Sequence, residues 1–347
     1  MVSQQDIASA LAFILLLMGM LFPTTGLNNP YLLFLCGIVV LVSGADRFTE
    51  GASNLGIHFG VPAFLVGSTI VALGTSLPEL GASLMALTID KPDLVLGNIV
   101  GSNIANITLV LGICGMVHGI DIKWNVLLAE VPFLLVSTFA FVIVSLDGKI
   151  VPLEGVILLM MYVAYVTNLR GSRSKAEEPS IPPRKAGMLV LLGIVFVFLG
   201  SRATVTGAVS IGTDVGRMLG IADDVLDVII GFTIVAIGTS LPELVTSLIS
   251  QFKGQEEMIT GGIMGSNNFN ILVVIGICSI IYPSMSGGSV MMVPPLILSF
   301  YAPAMVLVTL LLVIMLIDRR LTRFEASLLF LLYLALIVNI VGSGTGA

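Results

Sequence analysis

The sequence predicts an all-helical, polytopic membrane protein built from two related halves. Hydrophobic residues make up 56% of its 347 residues and charged residues only 10%, far below the roughly 25% charge of soluble domains. The stretch GSTIVALGTSLPEL at 67–80 returns as GFTIVAIGTSLPEL at 231–244, and GNIVGSNIANI at 97–107 returns as GGIMGSNNFNI at 261–271. Both blocks recur at one offset of 164 residues, too long for a solenoid, which indicates two homologous halves.

The individual elements of this prediction are apolar runs long enough to cross about 30 Å as helices. We expect eleven spans, and the third and eighth carry proline near their middle and should be broken there. The spans lie near 6–22, 30–46, 61–88, 94–117, 126–145, 151–169, 186–202, 225–252, 257–282, 291–317 and 323–342.

The first span stands outside the repeats. It lacks a basic n-region and a clean cleavage site, so we expect a retained helix, with a cleaved signal peptide as the alternative. Ten spans then remain, five per repeat, and an odd number reverses the direction of the second half. Inverted repeats recur in secondary transporters. The predicted parts are an extra N-terminal helix in 1–29, a first repeat in 30–169, a linker in 170–185 and a second repeat in 186–347.

The distribution of charge predicts orientation and excludes some partners. Placing the 170–185 loop in the cytoplasm puts eleven of the fifteen Lys and Arg residues inside and the carboxyl terminus outside. That loop is too short to hold a folded domain. The net charge of −6 argues against a nucleic-acid-binding protein, which would carry a basic surface. The three cysteines lie in apolar runs without metal-ligand spacing and should be buried free thiols.

Two glutamates are the strongest functional signal. Glu79 and Glu243 lie mid-span at equivalent positions of the two halves, with no Lys, Arg or His mid-span to pair with them. Ionisable residues inside spans are expensive and point to function, so this pair should bind protons or a cation. The other carboxylates are expected at or near span ends; they include Asp46, Asp90, Glu130, Glu154, Asp227 and Glu325.

The residues before each glutamate favour a cation. Pro78 cannot hydrogen-bond to the carbonyl of Gly74, and Pro242 cannot hydrogen-bond to that of Gly238. Each GTSLPE segment should therefore break its helix and free carbonyl oxygens, which is tolerated at membrane depth only in a cavity or inside protein.

Polar residues of both blocks recur four apart, so the members of each pair can share a helix face. The pairs are Thr75 with Glu79, Ser102 with Asn106, Thr239 with Glu243, and Ser266 with Asn270. Together they predict an all-oxygen site, which suits Ca²⁺ above all and also Na⁺. Asn103 and Asn267 lie one step off this face and should hydrogen-bond to neighbouring helices.

With GTSLPE at 74–79 and 238–243, and GNIVGSNIAN and GGIMGSNNFN after them, the chain resembles the cation/calcium exchanger superfamily, in particular its prokaryotic sodium/calcium exchanger branch. The resemblance implies ten helices in two inverted five-helix repeats, with helices one and six sliding as a gate. It implies Ca²⁺ ligands at Glu79, Glu243, Thr75 and Thr239. It implies Na⁺ sites around Ala72, Ser76, Ser102, Ala236, Ser240, Ser266 and the same glutamates, with Asn106 and Asn270 at the centre.

The expected function is therefore Na⁺-driven extrusion of Ca²⁺ by alternating access across a prokaryotic inner membrane. If three Na⁺ exchange for one Ca²⁺, as the resemblance implies, transport is electrogenic. Some relatives carry Asp where this chain has Asn270, which bears on proton involvement. The alternatives are Ca²⁺/H⁺ exchange, K⁺-dependent exchange, another divalent cation, a glutamate-lined channel, and an intramembrane hydrolase. We expect no enzymatic activity, no cofactor, and no obligate protein partner.

Overall fold

The computed structural model describes residues 4–21, 29–59, 72–122, 124–168, 179–252, 254 and 256–344. This part of the chain is mostly helical, as a membrane-crossing backbone must be to satisfy its hydrogen bonds within one segment. The helices of the first half are α1 Gln4–Leu21, α2 Pro30–His58, α3 Ala72–Thr75, α4 Leu77–Thr88, α5 Pro92–Ala105, α6 Leu111–Val117, α7 Trp124–Ser145 and α8 Pro152–Asn168.

The second half follows the same order. Its helices are α9 Pro183–Leu219, α10 Asp223–Ile230, α11 Ala236–Thr239, α12 Leu241–Phe252, α13 Glu256–Phe269, α14 Gly276–Met285, α15 Ala302–Met315 and α16 Arg323–Gly344. Within the described residues, four π-helical turns join or precede helices, at Asn106–Val110, Gly231–Val235, Asn270–Ile275 and Ile297–Tyr301.

Seven helical segments within the described ranges are long and apolar enough to span a membrane. Glu130–Ser145 and Pro152–Thr167 are shorter apolar segments. The prediction of a polytopic helical membrane protein is thereby confirmed. The ten-helix count and the inversion stay predictions, and the predicted span 61–88 falls partly outside the described residues.

Two helices are much longer than their predicted spans. The run 30–46 ends before Arg47, yet α2 continues to His58, because Arg47 donates to the Ser43 carbonyl at 2.9 Å and lies over the Phe196 ring. Similarly, α9 continues past the predicted end at 202 to Leu219. A charged residue that ends an apolar run therefore does not end the helix, because its side chain can fold back along the helix surface.

Helices α2 and α9 pack against each other in opposite directions through glycines. An added Cβ at Gly44 would lie 2.6 Å from the Val197 nitrogen, and one at Gly193 would lie 2.6 Å from the Phe48 nitrogen. Gly37 and Gly51 of α2 are equally close to α9 backbone. Small residues allow this backbone approach inside membranes, so the two helices form one closely packed unit. Phe13 of α1 stacks on Phe196 of this unit with ring centroids 4.6 Å apart.

We expect Gly44→Ala to destabilise the protein by about 1–3 kcal/mol, because the new methyl group collides with backbone that cannot move aside. Thermal unfolding of the purified protein in detergent measures the effect. Gly187→Ala is the matched control, since an added Cβ there meets no described atom within 4 Å. Equal melting temperatures for the two variants would contradict the close packing.

In the part of the chain that the structure describes, two short antiparallel strand pairs join the halves. Strand β1 (Ile120–Asp121) pairs with β4 (Arg320–Leu321), and β2 (Lys149–Ile150) pairs with β3 (Met291–Met292). The 22-residue helix α7 separates β1 from β2, so the pairs lie at opposite ends of the bundle. Adding 171 to the numbers of β1 and β2 gives those of β3 and β4. A two-fold axis relating the halves would produce this exchange.

Candidate cation site

The break predicted in each GTSLPE segment is present. Helix α3 ends at Thr75 and α4 begins at Leu77, with Ser76 between them at φ −94° and ψ 6°. In the second half Ser240 takes the same place at φ −84° and ψ 3°. Pro78 and Pro242 follow two residues later and provide no N–H for the preceding turn. Each break places a glutamate in the first turn of the following helix, where the helix dipole favours negative charge.

Both glutamates are buried and incompletely hydrogen-bonded. Glu79 is 0% exposed and Glu243 is 2% exposed. The Ser240 hydroxyl donates to Glu79 Oε1 and the Ser266 hydroxyl donates to Glu243 Oε1, both at 3.4 Å. No described group hydrogen-bonds to the Oε2 atom of either carboxylate. Because Ser240, the donor to Glu79, lies three residues before Glu243 on the same broken helix, the two carboxyl groups belong to one site.

Hydroxyl groups of the two halves meet across this site. The Thr75 and Ser266 hydroxyls are 3.2 Å apart, and those of Ser102 and Thr239 are 3.4 Å apart. The two pairs are equivalent, because Thr75 corresponds to Thr239 and Ser102 to Ser266 at the repeat offset of 164 residues. Each broken helix therefore lies against the second motif of the opposite half.

Four asparagines form a reciprocal hydrogen-bonded cluster between the halves. Asn103 Nδ2 donates to the Asn267 carbonyl at 3.3 Å, and Asn267 Nδ2 donates to the Asn103 carbonyl at 3.1 Å. Asn106 Nδ2 donates to Asn267 Oδ1 at 3.0 Å, and Asn270 Nδ2 donates to Asn103 Oδ1 at 3.1 Å. The side-chain oxygens of Asn106 and Asn270 are buried and receive no hydrogen bond from the described residues.

The other predicted site residues lie on the same elements. Ser76 is buried, and its hydroxyl makes no hydrogen bond within the described part of the chain. The Ala236 carbonyl accepts hydrogen bonds from the Ser240 amide at 3.0 Å and the Thr239 hydroxyl at 3.4 Å. Ala72 is the first residue of α3, and the structure describes its backbone only.

Sequence reasoning missed Asn98. Its amide nitrogen donates to the Glu79 carbonyl at 3.4 Å and to the Ser83 hydroxyl at 3.2 Å, and its oxygen accepts from Thr239 at 3.3 Å. It thereby supports both a glutamate backbone and a hydroxyl of the site. The repeat did not reveal it because the equivalent position of the second block is Gly262.

Glu130, expected at or near a span end, is the seventh residue of α7, which begins at Trp124. Its burial is the new finding, because the side chain is 8% exposed and accepts a hydrogen bond from Tyr165 at 2.6 Å. Helices α8 and α13 pack over α7 and cover this side chain. The apolar run alone shows where a span begins, but not which of its residues neighbouring helices will bury.

The site can do one kind of chemistry well. Glu79, Glu243, Asn106 and Asn270 each offer a buried oxygen that lacks a hydrogen-bond donor within the described residues. A buried acceptor left without a donor is costly, and a hard cation would satisfy four such atoms together. No basic side chain of the described chain hydrogen-bonds to either glutamate. The arrangement therefore fits a cation that enters from outside the protein.

Comparisons with known proteins agree with this chemistry. A sequence model described as "Sodium/calcium exchanger protein" matches residues 29–170 and 185–342. The sodium/calcium exchanger MaX1 of Methanosarcina acetivorans is 29% identical over 351 aligned positions, which cover 89% of this chain and 97% of that protein.

Solved structures resemble the fold over most of its length. The sodium-calcium exchanger NCX_Mj, soaked with Na⁺ and Sr²⁺, aligns with a TM-score of 0.64 and 30% identity, covering 89% of this chain and 97% of its own. An H⁺/Ca²⁺ exchanger, CAX, aligns with a TM-score of 0.78 over 100% of this chain and 92% of its own. Its sequence identity is 14%, so this second likeness concerns the fold alone.

Proposed function

Because the chain belongs to the sodium/calcium exchanger family, we propose that it is an antiporter that exchanges Na⁺ for Ca²⁺ across the membrane. Its direction is Ca²⁺ extrusion driven by the Na⁺ gradient. The observation that carries this proposal is the set of four buried oxygens without donors in the described structure, contributed by Glu79, Glu243, Asn106 and Asn270. They come in equivalent pairs from the two halves.

The proposed ligands follow from these positions. Ca²⁺ binds between Glu79 and Glu243 with the oxygens of Thr75 and Thr239, and the two carboxylates neutralise its charge. Na⁺ uses the same glutamates together with the following oxygen donors: Ala72, Ser76, Ser102, Ala236, Ser240 and Ser266. Asn106 and Asn270 complete the centre of the site.

The same charges explain why such a site would exchange ions instead of leaking them. Two carboxylates facing each other in a low-dielectric interior repel strongly when no cation is bound. The empty site therefore cannot change sides cheaply, and each crossing requires an occupant. If three Na⁺ exchange for one Ca²⁺, each cycle moves one net charge, and the membrane potential should influence the rate.

The proposed moving part is the glycine-packed pair of α2 and α9. Its close backbone contact lets it move as one unit over the broken helices, exposing the site to each side in turn. Around it we place ten helices in two inverted repeats, 30–169 and 186–347, with 1–29 as an extra helix. The 170–185 linker lies in the cytoplasm of a prokaryotic cell and the carboxyl terminus lies outside.

The test is ⁴⁵Ca²⁺ uptake into proteoliposomes that contain the purified protein. Vesicles loaded with Na⁺ should take up Ca²⁺, whereas control vesicles loaded with K⁺ should not, because only internal Na⁺ supplies the counter-ion. Acid-loaded vesicles test proton coupling in the same experiment. Uptake driven by acid alone would replace Na⁺ with H⁺ in the proposal, and the absence of uptake under every gradient would refute the calcium assignment.

A further inference from the structure

The two halves differ at one buried position of α7. Residues of α7 and α8 correspond to those of the last two helices at an offset of 171, and the shared residues include Pro132 with Pro303, Thr138 with Thr309, and Glu154 with Glu325. At this offset Glu130 corresponds to Tyr301. The first half therefore carries an intramembrane carboxyl group that the second half lacks.

Glu130 lies in a polar cluster beside the cation site. The Tyr165 hydroxyl of α8 donates to Glu130 Oε2 at 2.6 Å. The Asn268 side chain on α13 lies close to Tyr165 without a full hydrogen bond to it, and its Oδ1 accepts a hydrogen bond from Ser137 at 2.7 Å. Asn268 directly follows Asn267 of the asparagine cluster, so a chain of three side chains connects Glu130 with the helix that carries half of the site.

Asn268 adds a buried amide to the cluster next to Tyr165. It is 0% exposed, and its Nδ2 has no hydrogen-bond partner among the described residues. The equivalent residue of the first half is Ile104. The cluster is thus built in one half only, and it includes an amide donor close enough to Tyr165 to hydrogen-bond to its oxygen after a small rearrangement.

No positive charge faces Glu130 within the described structure. Helix α8 presents Tyr162 and Tyr165 to it, and Asn268 of α13 lies beyond Tyr165. Helix α15, which also packs on α7, contains no charged residue. On α13, Glu256 accepts a hydrogen bond from the Asp121 amide at the end of the bundle. An ionised carboxylate in this setting would lose its hydration without gaining a cation.

We propose that Glu130, together with Tyr165 and Asn268, forms a proton-binding site that makes the exchange rate depend on pH. The role in exchange rests on the proposed function, whereas proton binding itself does not. The ligand is a single proton held on the Glu130 carboxyl group. The neutral form is the transporting form, and loss of the proton at alkaline pH slows exchange.

The hydrogen bonds provide the physical link to the cation site. An ionised Glu130 can only accept, so the Tyr165 hydroxyl must point toward it. A protonated Glu130 can donate to the Tyr165 oxygen, which frees the tyrosine proton to turn elsewhere. The change reaches Asn268, and through it the segment of α13 that holds Ser266, Asn267 and the following turn at Asn270.

The first experiment measures the proton directly. Infrared difference spectra of the reconstituted protein are recorded through a pH titration in a Glu79→Gln/Glu243→Gln background, which removes the two central carboxyl groups. A protonated carboxyl band should persist at neutral pH, decline at alkaline pH, and vanish on adding Glu130→Gln. A spectrum unchanged by Glu130→Gln would overturn the proposal, whether or not the protein transports Ca²⁺. If the background does not fold, the same comparison is made in the otherwise unchanged protein.

The second experiment records Na⁺-driven Ca²⁺ uptake against pH. The unmodified protein should lose uptake at alkaline pH, and Glu130→Gln, which mimics the neutral acid, should retain it. Tyr165→Phe removes a donor to the ionised form and should move the alkaline loss to higher pH. Tyr301→Phe, at the equivalent position of the other half, is the control and should keep the unmodified profile. An identical alkaline loss in Glu130→Gln would overturn the proposed role in exchange.

Discussion

Replacing Glu243 by glutamine should reduce Na⁺-driven Ca²⁺ uptake by about a hundredfold or more. The substitution keeps the shape of the side chain but removes one of the two charges that would neutralise Ca²⁺ in a buried site. Leaving a buried charge without its partner costs about 3–5 kcal/mol, and each 1.4 kcal/mol corresponds to a factor of ten in binding. Uptake of ⁴⁵Ca²⁺ into Na⁺-loaded proteoliposomes measures the loss.

The equivalent variant and a distant control make this test specific. Glu79→Gln should cause a loss of similar size, because the two glutamates occupy matching positions. Glu325→Gln should transport normally, since the Glu325 side chain accepts hydrogen bonds from the backbone and hydroxyl of Thr322 at the start of α16, away from the cation site. Substantial Na⁺-driven uptake by Glu243→Gln would refute the assignment of the glutamates as ligands.

Asn103→Ala and Asn267→Ala should each destabilise the protein and abolish uptake, to nearly the same extent. Each asparagine donates to the backbone of the other and accepts from Asn270 or Asn106. Each variant therefore leaves buried polar groups without partners, at about 1–3 kcal/mol for each group. Thermal unfolding and uptake, measured on the same preparations, report the two effects.

The equal effect of Asn103→Ala and Asn267→Ala on stability and uptake is the part of the prediction that tests reciprocity. A cluster that holds the two halves together around the site loses equivalent hydrogen bonds from either side. If only one variant unfolds at lower temperature, or if both transport normally, the asparagines do not act as one reciprocal unit. Measuring the double variant adds a check, because residues of one network should give non-additive effects.

Local chemistry allowed the sequence to predict the centre of the molecule. Proline and glycine in each GTSLPE segment determine the break through steric and hydrogen-bonding rules that act within one turn. The spacing of four between Thr75 and Glu79 follows from helix geometry alone. Repetition at a fixed offset then predicted that both halves would contribute alike, and the reciprocal hydroxyl pairs agree with that expectation.

Features that depend on contacts between distant segments could not be predicted from the sequence by such local rules. The burial of Glu130 is due to α8 and α13 packing over α7, and the role of Asn98 depends on Thr239 in the other half. The extent of α2 and α9 was underestimated because their mutual packing extends beyond the apolar runs. The ligand roles of the predicted site residues stay predictions, and residues 60–71 of the predicted span 61–88 lie outside the described residues.

The two strand pairs have a consequence for how the protein is made. Strand β1 near residue 120 finds its partner only at residues 320–321, near the end of the chain, and β2 waits for residues 291–292. During synthesis the first half must therefore enter the membrane with both strands unpaired. Pairing is then late and stepwise, because β3 becomes available to β2 first and β4 reaches β1 only after α15 has been made.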